Sequence, residues 1–442
     1  MPAEEPRPDG EAPPAVRGSK AARPPSLERF ALPNGLTVVL AREAKLPLFE
    51  LRLSLRAGKL AEGPAEGGLS EAAASLFFKG LPGQDAASIA RGLAALGVSV
   101  GIDCRRELAI LSASGLSRSA ETLLRRLGQL LRRSAYPEPE ARLWREQTLE
   151  RLGQLRIDPE FLTSEAVKEE LYPGHPYGRP FPSEDELRRA TGSRVRAFQR
   201  RAYRARGATL VLAGDFAFAS ARRWVERTLG ALAGGPEPAA APEPPPQGPA
   251  RLRAVERAGS RQLNLSLVQV LPLRAVDPDY PAFLVANHIL GGSSSSRLFL
   301  NLRIDKGYTY GAYSRAASLQ RCSTWIASAE TRAEVAAKAL AEMRLEVRRL
   351  REERVPEAAL AAAKRHLAGV FAIRLSSLEG LAGTLWKLET DGLPPERELA
   401  RFVPRLEAVS SEDVRRAARR ALDPARMAAI AVGEKADLAA LA

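Results

Sequence analysis

Residues 191–215 read "TGSRVRAFQRRAYRARGATLVLAGD" and residues 410–434 read "SSEDVRRAARRALDPARMAAIAVGE". They align without a gap at a constant offset of 219 residues, 191 falling on 410. Val195 meets Val414, Arg196 meets Arg415, Arg200-Arg201-Ala202 meet Arg419-Arg420-Ala421, and Gly214-Asp215 meet Gly433-Glu434. Thr191 and Ser410 have side-chain oxygens suited to capping a helix start. Each segment then reads as an amphipathic helix, a short turn and an apolar strand ending in glycine. A gapless repeat over this length points to tandem duplication, and so to two similar halves.

Between the halves runs "GGPEPAAAPEPPPQGPA", residues 234–250, whose proline density favours an extended, semi-rigid spacer. Residues 1–26 are rich in Pro, Ala, Glu and Arg without apolar periodicity, the composition of a disordered tail. The expected units are therefore a first domain at 27–233 and a second at 251–442. In each, strands and helices mix: "LTVVLARE" (36–43), "LFELRLSLRAG" (48–58), "VSVGIDCRRELAILSASG" (98–115), "RQLNLSLVQVL" (261–271) and "TWIASAETR" (324–332) read as strands. Stretches such as "SAETLLRRLGQLLRR" and "VAAKALAEMRLEVRRLREE" read as helices. Adjacent strands followed by paired helices imply an α+β fold, not strict βαβ alternation.

Composition excludes several classes. The chain has 442 residues, too many for one core. No apolar run is long enough to span a membrane, and the N-terminus shows no signal-peptide pattern, so a cytoplasmic location is expected unless a leader is missing. Net charge is +14, but the basic residues are interleaved with acids along helices, as on solvated helix faces. Stacking aromatics are scarce, so nucleic acid is not an expected partner. The two cysteines, Cys104 and Cys322, are far apart in sequence and fit buried thiols. No two of His175, His288 and His366 have helix-pair spacing for zinc. His175 sits among turn-formers as a structural loop residue, and His288 packs or caps at its helix end.

One helix is unusual. "GGLSEAAASLFFKG" (67–80) carries an apolar stripe at Leu69, Ala72, Ala73, Leu76 and Phe77, with Lys79-Gly80 as its stop. Its other face is plain: Glu71, Ala74 and Ser75.

This stretch, with "RFALPNGLTVVLARE" (29–43), "YPGHPYGRP" (172–180) and "SSRLFLNLRIDKGYTYGAYS" (295–314), resembles the M16 metallopeptidases, the relatives of pitrilysin, insulinase and mitochondrial processing peptidase. The likeness spans about residues 28–434. It implies two homologous domains of the LuxS/MPP-like type, each a mainly antiparallel sheet packed with helices, facing across a cleft. Active members carry an H-x-x-E-H helix that holds zinc and activates its water. Here Glu71 stands at the first histidine, Ala74 at the general base and Ser75 at the second histidine; the further ligand falls near Glu150 or Arg151. Such a set does not hold zinc tightly, so no metal is expected in this chain. A hard cation on Glu71 and Ser75 alone has too few ligands.

The second half departs less. The family's spaced arginine and tyrosine correspond to Arg303 and Tyr310, with Gly307 between, and the resemblance implies that both donate hydrogen bonds to the scissile carbonyl. On spacing alone a structural reading is favoured, the arginine in a salt bridge and the tyrosine in a strand core. Tyr308 and Tyr313 read as packing residues and Arg297 as a loop anchor. "GGSSSSRL" (291–298) matches by position a glycine-rich substrate loop, which makes Gly291, Gly292, Ser293 and Ser294 candidate substrate contacts, the glycines for their backbone freedom.

The resemblance therefore implies a non-catalytic, substrate-binding subunit, inactive alone, whose partner is an H-x-x-E-H-bearing M16 chain that carries the zinc. A proteolytically inactive scaffold, like the core proteins of bc1 complexes, is the alternative. An independent peptidase with a relocated metal is opposed by the three scattered histidines. Peptide is expected to bind by strand addition to a sheet edge.

Overall fold

The computed structural model describes residues 25–441; residues 1–24, most of the tail expected at 1–26, lie outside the described residues. Ser26 already opens a strand.

The first half runs β1 (Ser26–Ala31), β2 (Thr37–Arg42), β3 (Leu48–Leu55), α1 (Leu69–Ser75), the small ribbon β4 (Gly80–Leu81) and β5 (Gln84–Asp85), α2 (Ala86–Ala94), β6 (Ser99–Cys104), β7 (Ala109–Leu116), α3 (Ala120–Arg133), α4 (Glu138–Leu155), α5 (Pro159–Leu171), α6 (Glu184–Arg188), α7 (Gly192–Ala202), β8 (Thr209–Gly214) and α8 (Phe218–Leu229). The second runs β9 (Leu252–Glu256), β10 (Gln262–Leu271), α9 (Tyr280–Gly291), α10 (Arg297–Phe299), β11 (Thr309–Ser318), β12 (Ser323–Arg332), α11 (Ala333–Glu352), α12 (Glu357–Ser376), α13 (Leu378–Thr390), α14 (Pro395–Glu407), α15 (Ser411–Ala421), β13 (Ala428–Gly433) and α16 (Lys435–Ala439).

Each half has its own sheet. The first has the order β1-β2-β8-β3-β7-β6, the second β9-β13-β10-β12-β11. Both are antiparallel apart from one parallel pair each, β2 with β8 and β9 with β13. The offset of 219 carries α7 onto α15 and β8 onto β13, and also α5 (starting at 159) onto α13 (starting at 378), both thirteen residues long. Sheet position pairs the remaining elements. The edge strand β6 of the first sheet corresponds to the edge strand β11 of the second. α1 packs on α7 and β6 as α9 packs on α15 and β11.

Two cores fill the helix-covered sides of the sheets. The other sides are covered by exchange. α5 of the first half buries Ala166, Val167 and Leu171 against Val268, Ile430 and Val432 of the second sheet. α13 of the second half buries Leu381, Leu385 and Trp386 against Val39, Val211 and Ala213 of the first.

Residues 233–251 contain no helix or strand, and the spacer expected at 234–250 is held against both halves by specific contacts. Ala241 is buried and its carbonyl accepts from Arg321 Nε at 3.0 Å, Gln247 Oε1 accepts from Val270 N at 3.1 Å, and the Pro242 carbonyl lies 3.2 Å from His175 Nε2. His175 Nδ1 also accepts from Tyr177 N, the structural role expected of it.

Candidate functional site

The plain helix is shorter than its apolar stripe suggests. α1 ends at Ser75, and Leu76 to Phe78 continue as turns with Leu76 and Phe77 still buried. Gly68 precedes it at φ 85°, a left-handed conformation that favours glycine. The helix start is held by a group that sequence reasoning missed. Buried Glu62 accepts from Ser70 N at 2.9 Å, Ser70 Oγ at 2.7 Å and Arg179 Nη1 at 3.2 Å. Burial raises the Glu62 pKa, while Ser70 and Arg179 oppose it. The only sequence signal was Arg179 within "YPGHPYGRP".

Glu71 and Ser75 face a groove of about 380 Å³, across which lie Glu140, Trp144 and Arg151 of α4. Position 151, not 150, faces the groove. Lys59 Nζ lies 3.8 Å from Glu71. Glu71, Ser75 and the cationic Arg151, with an ammonium beside the carboxylate, form no donor set for zinc. Ala74 is buried and has no group to take a proton. Among the described residues no three His, Cys, Asp or Glu side chains are grouped to hold a metal ion. Nearby, burial pushes the Cys104 thiol up to about 12, so it is not a nucleophile at neutral pH.

The Arg303 and Tyr310 site is built by two backbone irregularities. Residues Leu300–Asp305 form a π-helical turn, closed by Lys306 N donating to Asn301 O at 3.0 Å. Gly307 at φ 64° turns the chain into β11. There the register with β12 shifts between Thr309 and Ala312, a bulge that includes Tyr310. π-turns and bulges both re-aim side chains. Arg303 Nη1 donates to the Tyr310 carbonyl at 2.5 Å, and its guanidinium lies 5.6 Å from the Phe299 ring centre and 5.8 Å from that of Tyr310. The Tyr310 side chain is not in a strand core: the residue is 83% exposed. Both residues line a groove of about 500 Å³ with Gln262, Glu330 and Arg332. Ile304, 61% exposed, extends its apolar rim.

The competitors separate. Tyr308 is partly buried against the second core, as expected, but Tyr313 is exposed beside Phe299. Arg297 is half-buried on α10, where burial lowers its pKa. Gly291, Gly292, Ser293 and Ser294 do not line the Arg303 groove. The backbone-freedom argument for the glycines is corrected: neither has a positive φ. They allow close approach instead, since a Cβ on Gly291 meets Ser314 N at 2.3 Å and one on Gly292 meets His288 Nδ1 at 2.5 Å. Sequence spacing also missed a histidine pair. His288 and His366 stack with ring centres 4.6 Å apart, and burial chiefly, with His366, lowers the His288 pKa to about 4.

Residues 189–367 match the peptidase M16 inactive domain, a stretch that runs from α7 across the proline-rich strap into α12. A solved peptidase M16 inactive domain from Pseudomonas fluorescens superposes with a TM-score of 0.86 at 26% identity, over 92% of this chain and 98% of that one. Over these residues the chain is similar to the M16 peptidase family. An uncharacterized zinc protease of Streptomyces coelicolor is 25% identical over 302 residues, covering 67% of this chain and 66% of the relative. Another, YmxG of Bacillus subtilis, is 24% identical over 301 residues, 66% and 71% of the two chains. The periplasmic protease PqqL of Escherichia coli shares the fold, with a TM-score of 0.80 at 18% identity; the match takes 98% of this chain but 48% of PqqL. Among the described residues no helix is long and apolar enough to cross a membrane.

Proposed function

We propose that this chain is the non-catalytic, substrate-binding member of a two-chain M16 zinc peptidase. Arg303 and Tyr310 donate to the scissile carbonyl of a peptide whose zinc and general base belong to a partner bearing H-x-x-E-H. The observation that carries this reading is the exposed Tyr310 beside a guanidinium, re-aimed by a bulge into an open groove. A core role leaves no reason for a large aromatic to stand in water with its hydroxyl free. The complementary observation is a first-half helix whose donor set does not fit zinc.

Within such an assembly this chain's own groups do limited, definable work. The Arg303 N–H groups not taken by the Tyr310 carbonyl, and the Tyr310 hydroxyl, hydrogen-bond to a carbonyl oxygen as it gains charge. Neither moves a proton from water. The edges of β6 and β11 offer unpaired backbone groups for an extended peptide.

The test is capture of this chain from its native host, followed by reading the partner's sequence for H-x-x-E-H and assaying the pair. Tyr310→Phe is expected to lower turnover about 10²-fold while the pair still co-elutes. A scaffold, the alternative, forms a complex whose peptidase activity is indifferent to position 310. Full activity of the Tyr310→Phe pair would overturn the assignment.

A further inference from the structure

The inner end of the edge strand β6 opens into a cavity of about 430 Å³ between the two halves. A second cavity, of about 280 Å³, shares Arg105 and Arg106 with it and reaches Cys104, the last residue of β6. Arg106 is the residue common to both walls that has no acid of its own. Its guanidinium lies over the rings of Tyr172 and Tyr177, 5.4 and 5.9 Å from their centres. Those rings are themselves fixed: Tyr172 Oη is 2.6 Å from Thr324 Oγ1, and Tyr177 Oη donates to Glu107. Among the described residues Arg106 makes no ion pair and no side-chain hydrogen bond. Arg56 is likewise unpaired, and Arg274 reaches only the Gln320 carbonyl, at 3.5 Å. The other cations on the larger cavity's wall pair with acids. Glu107 offsets one of the three free guanidinia; two remain unmatched.

A guanidinium held beside two aromatic rings, with no acid or side-chain hydrogen-bond partner of its own, is available for two-point binding of a carboxylate. We propose that this cavity is a carboxylate-binding site, and that it reads acidic residues or the terminal carboxylate of a peptide laid along β6. The occupant is a peptide because the cavity begins where an unpaired strand edge ends, and a strand edge recruits extended backbone. The proposal rests on the peptide-binding reading above and narrows it to acidic peptides.

The experiment is fluorescence anisotropy on the full chain without a partner, using short Thr/Val-rich peptides. One ends in Glu-Asp, one in Gln-Asn, and each is made as free acid and as amide. The Glu-Asp peptide is expected to bind at least about tenfold tighter than the amidated Gln-Asn peptide, with the difference shrinking at high salt. Arg106→Gln should erase the difference while leaving the weaker binding; Arg274→Gln should reduce it, which keeps the test informative if the first variant folds poorly. The free-acid and amide arms tell terminal from side-chain carboxylates. Equal binding of acidic and neutral peptides sinks the carboxylate site but leaves peptide binding intact. Binding of neither sinks both. Saturable binding of inorganic phosphate that displaces the acidic peptide assigns the cavity to a phosphate instead.

Discussion

Gly291 shows how a residue can be required without touching substrate. It ends α9 where the helix lies on β11, and a Cβ there falls 2.3 Å from a backbone nitrogen that cannot rotate away. Gly291→Ala is therefore expected to cost about 1–3 kcal/mol by overpacking, read as a lower denaturation midpoint with unchanged slope. An unchanged midpoint means that α9 shifts freely. At α1 the residue-level question is which position of α4 faces Glu71 and Ser75 across their groove. Glu71, Ser75 and Arg151 share one groove, so Glu71→His, Ser75→His and Arg151→Glu together should bind about one zinc per chain by metal analysis. The same two histidines with Glu150 unchanged and Arg151→Ala should not. Zinc held equally by both variants contradicts the facing assigned to position 151. The blank face itself was legible in the sequence, because an H-x-x-E-H pattern is local. The Glu62–Ser70–Arg179 cluster was not, because its members come from three segments separated by a hundred residues or more at the widest.

Among the elements, the strands were readable as short apolar runs rich in Leu, Val and Ala bounded by turn residues. β2, β3, β6 and β10 fall within the runs the sequence marked, and β7 and β12 exceed theirs by one residue each. The length of α1 was not, because buried Leu76 and Phe77 continue its apolar stripe in turn conformation. The π-turn and the bulge that present Tyr310 leave no compositional trace either. Nor did any pattern say that α5 and α13 cross over: an amphipathic stripe records that a helix is covered, not by which sheet. The crossing has a measurable consequence. Leu385 is fully buried, belongs to the second half and packs on the first sheet. Leu385→Ala is expected to destabilise by about 2–5 kcal/mol. Hydrogen exchange should then speed up in β2 and β8, more than two hundred residues away in sequence from the change where β2 is concerned. Exchange that quickens only within α13 and its own half contradicts the crossover.

At the scale of the molecule the two halves pack into one another, and their seam contains an ionisable group. Glu50 on β3 is buried on the α13 side, near Arg52 and Glu379, and burial pushes its carboxyl up to about 7. The unfolded chain holds it near 4.5. Folding thus takes up a proton between these values, and Glu50's contribution falls as pH rises from about 4.5 through 7. Glu50→Gln should match the wild type near the bottom of that window and exceed it by about 1–3 kcal/mol above it. Melting curves across the window that stay parallel contradict this. The seam also predicts what a cut does. The strap at residues 234–250 joins the halves covalently, but α5 and α13 join them by packing, each closing the other half's sheet. Gly248 has open space around it, so a protease site inserted there is accessible. After cleavage the two fragments are expected to elute together and to part only in denaturant, because separation exposes an apolar face on both sheets. Each half expressed alone should then be insoluble, and mixing the two from denaturant should restore the nicked species. Fragments that separate on simple dilution mean that the exchanged helices do not hold the molecule together, and that each half completes its own fold.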